Sequence, residues 1–342
     1  MRRWTPSPGT FVPSSRPVDE FKVIADLFRP LTLGAPEALD LLDDAAVIPS
    51  RPGFDLVITK DAMVEGVHFL PTDPPDLIAR KLLRVNLSDL AAKGAQPYGY
   101  FLAAAWPRAW DEGRRTVFCA GLAQDQAMFG LKLFGGDTVS TPGPLTLSVT
   151  MLGWVTAGAM VKRSGARAGN VLLVSGTIGD GVLGLDAAQE KLADTRWDHA
   201  AYLAARYRLP MPRVELGNIL REHASAAADV SDGLLADAGH VALASGLGVE
   251  IDIDKLPLSA AAAVWEAQAP DRVSALLRLA TGGDDYEIVC AIPPSKVEEA
   301  MIAAARTGTA LTPIGRFTQR VGVRAFYAGE PTPVTKAGWT HP

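Results

Sequence analysis

Hydrophobic residues recur along the chain with two different spacings, and each spacing predicts one type of element. Spacings of three and four, typical of amphipathic helices, predict helices from Val18 to about 30, at 74–95, 114–130, 198–207, 211–222, 260–280 and 295–306, and directly after ADVSDG. Alternating or continuous apolar runs predict strands at 45–49, 55–63, 98–107, 131–139, 145–155, 171–175, 249–254, 286–292 and 311–317. Such interleaved elements predict a mixed α/β or α+β protein.

The pattern changes at residues 157–170, where TAGAMVKRSGARAGN is rich in glycine, alanine and basic residues. A buried strand that turns through glycines into a helix follows it, so we expect a domain boundary there. The stretch before Val18 is rich in proline, serine and glycine, and it lacks the apolar segment of a signal peptide. The sequence therefore predicts a disordered tail at 1–17, one domain at 18–157 and a second at 158–342.

Composition narrows the functional classes. The chain has 342 residues, 48% of them hydrophobic and 21% charged, which is ordinary for a globular protein of two domains. Its net charge of -5 provides no positive field that would attract nucleic acid or an anionic membrane. The sequence contains no run of 18 apolar residues, so no membrane-spanning helix is predicted. Cys119 and Cys290 lie in apolar runs, which favours buried, reduced thiols and a cytoplasmic location.

Aspartates beside glycine or hydroxyl residues recur where a strand ends or a helix begins. They are Asp43 and Asp44 in LLDDAAV, Asp61 in TKDAMVEGVHF, Asp89 in NLSDLAAKG, Asp137 in FGGDT, Asp229 and Asp232 in DVSDGL, and the acidic run GGDDYE at 282–287. Mg²⁺ prefers hard oxygen ligands and is usually bound by carboxylates together with substrate phosphates. Glycines let the backbone approach a phosphate, and a helix N-terminus favours an anion. The set therefore indicates phosphoryl transfer with several Mg²⁺ ions.

Each stretch alone has a simpler interpretation. SDG is typical of a helix N-cap formed by Ser231 or Asp232, GGD is typical of a turn, and His68 fits an ordinary strand histidine. Asp89 is harder to explain in this way, because it lies in an apolar helix and a buried carboxylate needs a partner. The glycine motifs of P-loop and dinucleotide-binding proteins and the kinase catalytic motifs are absent.

Taken in order, DDAAV, TKDAMVEGVHF, NLSDLAAKGA, GGDT, KRSGARAGN, DVSDGL and GGDDYE resemble the thiamine-monophosphate kinase family. That family belongs to a wider group with aminoimidazole ribonucleotide synthetase, selenophosphate synthetase and the hydrogenase-maturation dehydratase. The resemblance runs from about residue 20 to the C-terminus. It implies ATP-dependent phosphorylation of thiamine monophosphate to thiamine diphosphate in a cytoplasmic homodimer. It also implies an N-terminal α/β domain whose sheet forms a barrel-like core with that of a partner, and a C-terminal α+β domain.

The resemblance also implies roles for individual residues. Metal-ligand positions of the family match Asp44, Thr59, Asp61, Asp89, Asp137, Asp229 and Asp232. Nucleotide-binding positions match Gly136, Asp137, Arg163 and Ser231, and positions that contact the thiamine phosphate match His68, Asp284 and Trp339.

The chain departs from the family pattern at three positions. Leu42 replaces the glycine of the first motif, and Lys60 replaces the threonine before Asp61, which is expected to add a positive charge near the metals. In GGDDYE, Asp284 replaces a glutamate, so Asp285 or Glu287 remains an alternative ligand for the substrate.

Direct in-line transfer is expected, because a phosphate nucleophile is already ionised at neutral pH and needs no general base. The transition-state charge is then handled by the metals and Arg163. The alternatives are a related ATP-dependent synthetase that acts on an amide or amidine substrate, and a non-catalytic nucleotide-binding regulator. The chain has no reactive cysteine in a glycine-rich N-terminal loop, which disfavours selenophosphate synthesis.

Overall fold

A computed structural model describes residues 20–192 and 196–338. The predicted tail at 1–17 and Trp339 lie outside the described residues. Two open sheets organise the fold, one of four strands and one of seven, and each has helices packed against it. Neither sheet closes on itself within the described ranges.

The first sheet has the strand order β1-β4-β2-β3, with β2 and β3 parallel and the other pairs antiparallel. One face packs on two long helices, and the aromatic residues Trp106, Trp110 and Phe118 cluster inside this core. The elements of this half are α1 (Glu20–Val23), β1 (Phe54–Val64), α2 (Pro75–Ala92), β2 (Gln96–Pro107), α3 (Glu112–Phe129), β3 (Leu133–Thr141) and β4 (Thr146–Thr156).

Local sequence explains the ends of the two long helices. Pro75 opens α2, where its missing N–H costs nothing. In α3 the Asp111 side chain accepts a hydrogen bond from the Arg114 N–H, and Gly130 ends the helix with φ 70° in the left-handed region. Both helices are therefore delimited by ordinary capping chemistry, and the positions of their side chains are well defined.

The second sheet is mixed, with the order β11-β10-β7-β9-β5-β8-β6. Its central strands β5 and β8 are buried on both faces, and free Cys290 is buried in β8 as predicted. The elements of this half are β5 (Val171–Ser175), α4 (Asp180–Ala188), α5 (Trp197–Arg208), α6 (Gly217–His223), β6 (Ala226–Asp229), α7 (Leu234–Ala244), β7 (Gly248–Asp252), α8 (Ala260–Gln268), α9 (Arg272–Thr281), β8 (Ile288–Ile292), α10 (Val297–Arg306), β9 (Leu311–Thr318), β10 (Gly322–Tyr327) and β11 (Glu330–Thr332).

The two halves share a core around the C-terminal end of α2. Ala91 and Ala92 belong to the same buried cluster as Leu216, Ala227 and Cys290 of the second half. The small alanine side chains let α2 approach the second sheet closely. Helix α2 is therefore the element that positions residues of the first half against the second.

Several predicted elements were wrong in detail. Residues 45–49 form no strand, although AAVIP is apolar. The predicted helix at 211–222 begins only at Gly217, after a 3₁₀ turn at Val214–Leu216. The predicted helix at 260–280 is two helices, because the chain turns at 269–271 and Asp271 caps a new helix by accepting from the Val273 N–H.

No helix in the part of the chain that the structure describes is long and apolar enough to cross a membrane.

Candidate active site

A cavity of about 650 Å³ lies between the two halves of the molecule. Its walls come from β1 and α2 on one side, and from the loops after β6 and before β8 on the other. Seven of the residues predicted to bind metal, nucleotide or substrate line it: Asp61, His68, Asp89, Asp229, Ser231, Asp232 and Asp284. We call it the main cavity.

The carboxylate end of the main cavity begins with Asp61 on β1 and Asp89 on α2. The Thr59 hydroxyl, also on β1, donates a short hydrogen bond to Oδ2 of Asp89. The three residues of β1 and α2 that were predicted to bind metal therefore lie together. Burial, together with the charge of Asp89, raises the pKa of Asp61 from 3.8 to about 6. The charge of Asp89 thus opposes the ionisation of Asp61, which indicates a site of negative potential.

Asp229, at the end of β6, adds a third carboxylate to this end. Burial and the nearby charges of Asp89 and Asp237 raise its pKa well above the usual value. Lys93, in the turn after α2, donates a 2.8 Å hydrogen bond to the Ala227 carbonyl and partly offsets this charge. The fold holds these acids together although they repel one another.

The loop after β6 is organised by Asp237, a residue that the sequence interpretation missed. Its Oδ2 accepts hydrogen bonds from the N–H groups of Ser231, Asp232 and Gly233 at 3.0, 3.0 and 3.2 Å. Neither Ser231 nor Asp232 caps α7 with its side chain, so the predicted N-cap was wrong and both side chains are left to the cavity. The sequence feature that could have pointed to Asp237 is an acidic residue in the first turn of a helix.

Asp237 is itself buried beside other ligand-type groups. Burial and the charge of Asp232 raise its pKa from 3.8 to about 7, and its Oδ1 has no hydrogen-bond partner among the described residues. One ligand atom each from Asp232, Asp237 and His240 lie within 4.8 Å of one another. This arrangement extends the acidic end of the cavity toward α7.

The three carboxylates of GGDDYE have different environments. Asp285 accepts 2.8 Å hydrogen bonds from the N–H groups of Gly179 and Gly181, and it anchors the start of α4. Glu287 is fully buried between Arg206, Arg213 and the Ser175 hydroxyl. Of the three, only Asp284 lines the main cavity.

Asp284 lies in a loop with an unusual backbone. Its φ is 69° and that of Tyr286 is 51°, both in the left-handed region that costs free energy for residues other than glycine. Two hydrogen bonds hold this loop to the one after β6, from Asp284 N–H to Ser231 O at 3.0 Å and from Tyr286 N–H to Val230 O at 2.8 Å. The two cavity loops are therefore joined to each other.

His68 follows β1 and lines the main cavity. Its Nδ1 accepts a 3.0 Å hydrogen bond from the Val64 N–H, which fixes the ring in the turn. Lys81 on α2, a residue that the sequence interpretation did not single out, donates to the His68 carbonyl at 3.0 Å and lines the same cavity. The predicted strand setting for His68 was wrong, because β1 ends at Val64.

The remaining predicted residues of the first half line a second cavity, of about 410 Å³. Asp44, Gly136 and Asp137 lie in its wall. Asp61 on β1 lies opposite Val149 on β4, which lies opposite Leu102 on β2, which in turn lies opposite Gly136 on β3. Strands β1 and β3 are therefore the two edges of the sheet, three strand spacings or roughly 14 Å apart. Asp137, the next residue, faces the other side of the sheet. One chain therefore does not bring Asp137 and Asp61 together.

Arg163 and Lys60 are both exposed, with different orientations toward the site. The charge of Arg163 lowers the pKa of Lys93 and counteracts the raised pKa of Asp237, so its guanidinium lies near the carboxylate end of the main cavity. Lys60 alternates with Asp61 along β1 and points to the opposite face of the sheet. The expectation that Lys60 adds charge beside these carboxylates was wrong for the single chain.

The chain is similar to known proteins along both of its halves. The family described as AIR synthase related protein matches the chain at residues 42–155 with its N-terminal domain and at 167–328 with its C-terminal domain. A thiamine-monophosphate kinase of Caulobacter vibrioides is 54% identical over 338 residues, which cover 99% of this chain and 95% of that protein.

The chain belongs to the thiamine-monophosphate kinase family.

Other members of the thiamine-monophosphate kinase family extend the match. The Escherichia coli enzyme is 36% identical over 94% of this chain and 98% of its own length. A crystal structure of thiamine-monophosphate kinase from Stenotrophomonas maltophilia, 38% identical, superposes with a TM-score of 0.80 over 92% of this chain and 98% of that one. AaThiL complexed with AMPPCP and TMP, 28% identical, superposes with a TM-score of 0.74 over 94% and 96%. These matches support the two-domain fold described above.

Proposed function

We propose that this chain catalyses the ATP-dependent phosphorylation of thiamine monophosphate to thiamine diphosphate, the last step in making that cofactor. The observation that carries the proposal is the main cavity, whose walls bring the carboxylates Asp61, Asp89 and Asp229 together with His68 and Asp284. A relative complexed with an ATP analogue and TMP supports both co-substrates. A cavity of this kind suits a substrate with a phosphate at one end and a cationic ring at the other.

The acidic end fits Mg²⁺. Burial and the charge of Asp89 raise the pKa values of Asp61 and Asp229, and the buried Oδ1 of Asp237 lacks a partner among the described residues, so the site is short of positive charge. Carboxylates and a hydroxyl are the hard oxygen ligands that Mg²⁺ takes. We propose that several Mg²⁺ ions are held by Thr59, Asp61, Asp89, Asp229 and Asp232 of one chain, with Asp44 and Asp137. Bound Mg²⁺ would offset the repulsion between the two phosphate groups.

The protein's own groups then orient the reactants for direct in-line transfer. Arg163 has the planar fork suited to nucleotide phosphates, and it lies on the same side of the site as Ser231 and Asp232. Gly136, which lines the second cavity beside Asp137, is assigned to the nucleotide as well. No residue is assigned as a general base, because the acceptor phosphate is already ionised.

The substrate end is assigned to His68 and Asp284, with Trp339 as a further candidate beyond the described residues. Asp284 offers a carboxylate to the cationic ring of thiamine. Its side chain is 31% exposed, which leaves one face open to a ligand.

We also propose that the active form is a homodimer with two domains per chain, at 18–157 and 158–342. Strands β1 and β3 have free edges among the described strands, and Ile58 and Val139 on them are 59% and 50% exposed. Pairing such edges with a second copy would cover this surface and complete a barrel-like core. It would also bring β3 of one chain beside β1 of the other, and we propose that Asp61 and Asp137 from different chains then serve the same site. Free, buried thiols at Cys119 and Cys290 support a cytoplasmic location.

Mixing two inactive variants tests this dimer. In a dimer of Asp61→Asn with Asp137→Asn, one site carries both substitutions and the other carries neither. After refolding a 1:1 mixture, about a quarter of wild-type activity is expected if each site uses both chains. An activity no higher than that of either variant alone would contradict a shared site.

The activity itself is tested by single turnover with thiamine monophosphate, MgCl₂ and ATP labelled on the γ-phosphate. Labelled thiamine diphosphate is expected, and its absence together with turnover of an amide or amidine substrate would favour the synthetase alternative. ATP binding without any turnover would favour a regulator. EDTA should abolish turnover without unfolding the protein.

A further inference from the structure

Lys81 is a buried cation that faces the substrate end of the main cavity. Its side chain is 3% exposed, and its ammonium lies 3.7 Å from the centre of the Tyr207 ring. Burying an ammonium is costly unless it is paired and hydrogen-bonded. Lys81 is satisfied by a 3.0 Å hydrogen bond to the His68 carbonyl and a 3.2 Å ion pair with Oδ2 of Asp284.

The Asp284 carboxylate is held at both oxygens. Oδ2 accepts from Lys81, and Oδ1 accepts a 3.1 Å hydrogen bond from the Tyr286 hydroxyl. The left-handed backbone at Asp284 adds a cost that these contacts must offset. The orientation of this carboxylate in the cavity wall therefore depends on Lys81.

The same ammonium connects three separate segments. His68 follows β1, Lys81 lies on α2, and Asp284 precedes β8 in the second half of the molecule. Both residues assigned to the substrate end are thus tied to one side chain. Among the described residues Lys81 bonds to none that is assigned to the nucleotide, and Ser231 meets this cluster only through its backbone carbonyl, which accepts a 3.0 Å hydrogen bond from the Asp284 N–H.

We propose that Lys81 is a positioning residue for the second substrate: it orients the Asp284 carboxylate and the His68 turn, and it acts on the affinity for thiamine monophosphate and not on that for ATP. This inference rests on the proposed function. It also accounts for the shorter side chain at position 284, because a carboxylate that Lys81 and Tyr286 hold at both oxygens does not need the reach of glutamate.

The test is a double-mutant cycle of Lys81→Met and Asp284→Asn, with Lys255→Met as the matched control. Lys255 also pairs with an aspartate, Asp252, but its side chain is 59% exposed and lies outside both cavities. Lys81→Met is expected to raise the KM for thiamine monophosphate about tenfold, the loss typical of one hydrogen bond to a charged group, with the KM for ATP unchanged. The control should leave both constants unchanged.

The cycle also separates positioning from a purely structural role. If Lys81 acts through Asp284, adding Lys81→Met to Asp284→Asn should raise the KM for thiamine monophosphate by clearly less than Lys81→Met does in the wild type, and any remaining rise reports on the His68 turn. Additive effects, equal rises in both KM values, or lower stability with unchanged KM values would each overturn the inference. If Lys81→Met does not fold, Lys81→Gln, which keeps a donor for the His68 carbonyl, takes its place in the same cycle.

Failure of the inference and failure of the proposed function give different results. Wild-type protein that does not phosphorylate thiamine monophosphate overturns the function. Wild-type turnover combined with a Lys81→Met variant that matches Lys255→Met overturns the inference alone.

Discussion

Asp61→Asn should make the metal-free protein more stable although it removes a residue of the proposed metal site. Burial and Asp89 raise the pKa of Asp61 from 3.8 to about 6, so the folded state opposes its ionisation. A carboxyl with a raised pKa contributes most to stability when it is protonated. That contribution is lost as the pH rises from about 4 through 6, and the full cost is present above pH 6.

The size of the effect follows from the shift. A change from 3.8 to about 6 corresponds to roughly 3 kcal/mol above pH 6, at about 1.4 kcal/mol per unit of pKa. Water in the open cavity screens the two charges, so we expect Asp61→Asn to raise the free energy of unfolding by ~1–3 kcal/mol at pH 8. Asparagine does not titrate, so the gain should fall to about half by pH 5.

Urea unfolding in EDTA at pH 5 and pH 8 measures this difference, with Asp254→Asn, an exposed carboxyl outside both cavities, as the control. Excess MgCl₂ should reverse the order at pH 8, because ions that bind only the folded wild-type site stabilise it by mass action. The reasoning is refuted if Asp61→Asn is no more stable than wild type in EDTA at pH 8. A gain of equal size at pH 5 would refute the electrostatic cause.

Two further substitutions test the supports of the two cavities. Glu287→Ala should lower the free energy of unfolding by about 3–5 kcal/mol, because it leaves the largely buried Arg213 without its carboxylate and leaves Arg206 with only a 3.7 Å contact to Asp180. Glu287→Gln should cost less, and equal urea midpoints for the two variants would contradict this. Gly136→Ala should lower the Tm and abolish turnover, since the added Cβ would lie 1.8 Å from the Leu102 carbonyl oxygen. Gly143→Ala, where the nearest atom is 3.4 Å away, is its control, and a Gly136→Ala enzyme as active and stable as that control would show that the strand yields at no cost.

The sequence predicted the long, regular elements best. Helix α2 and strands β1, β2 and β4 have strong apolar periodicity, and the structure confirms them. The strand predicted at 45–49 failed because an apolar run says nothing about whether a pairing partner is available. The prediction of a single helix at 260–280 was wrong because the apolar periodicity continues across a turn, after which Asp271 caps a new helix.

The candidate site was predictable as a set of residues but not as a geometry. Carboxylates beside glycines indicated Asp61, Asp89 and Asp229, and the structure brings these into one cavity. That Asp137 lies on the opposite face and edge of its sheet depends on strand order, which local sequence does not encode. Lys81 was missed because a lysine in an amphipathic helix is usually solvated, and its burial depends on a loop about two hundred residues away.

Helix α2 gives the main cavity a fixed internal length. Lys81, Val85 and Asp89 line the cavity at intervals of four residues on this one rigid element, so the backbone positions of Lys81 and Asp89 are separated by about 12 Å along the helix axis. A substrate that reaches both ends must match that length. The enzyme should therefore discriminate among phosphate esters by the distance between their cationic ring and their phosphate, and lengthening the linker between the two should lower turnover more than altering either end.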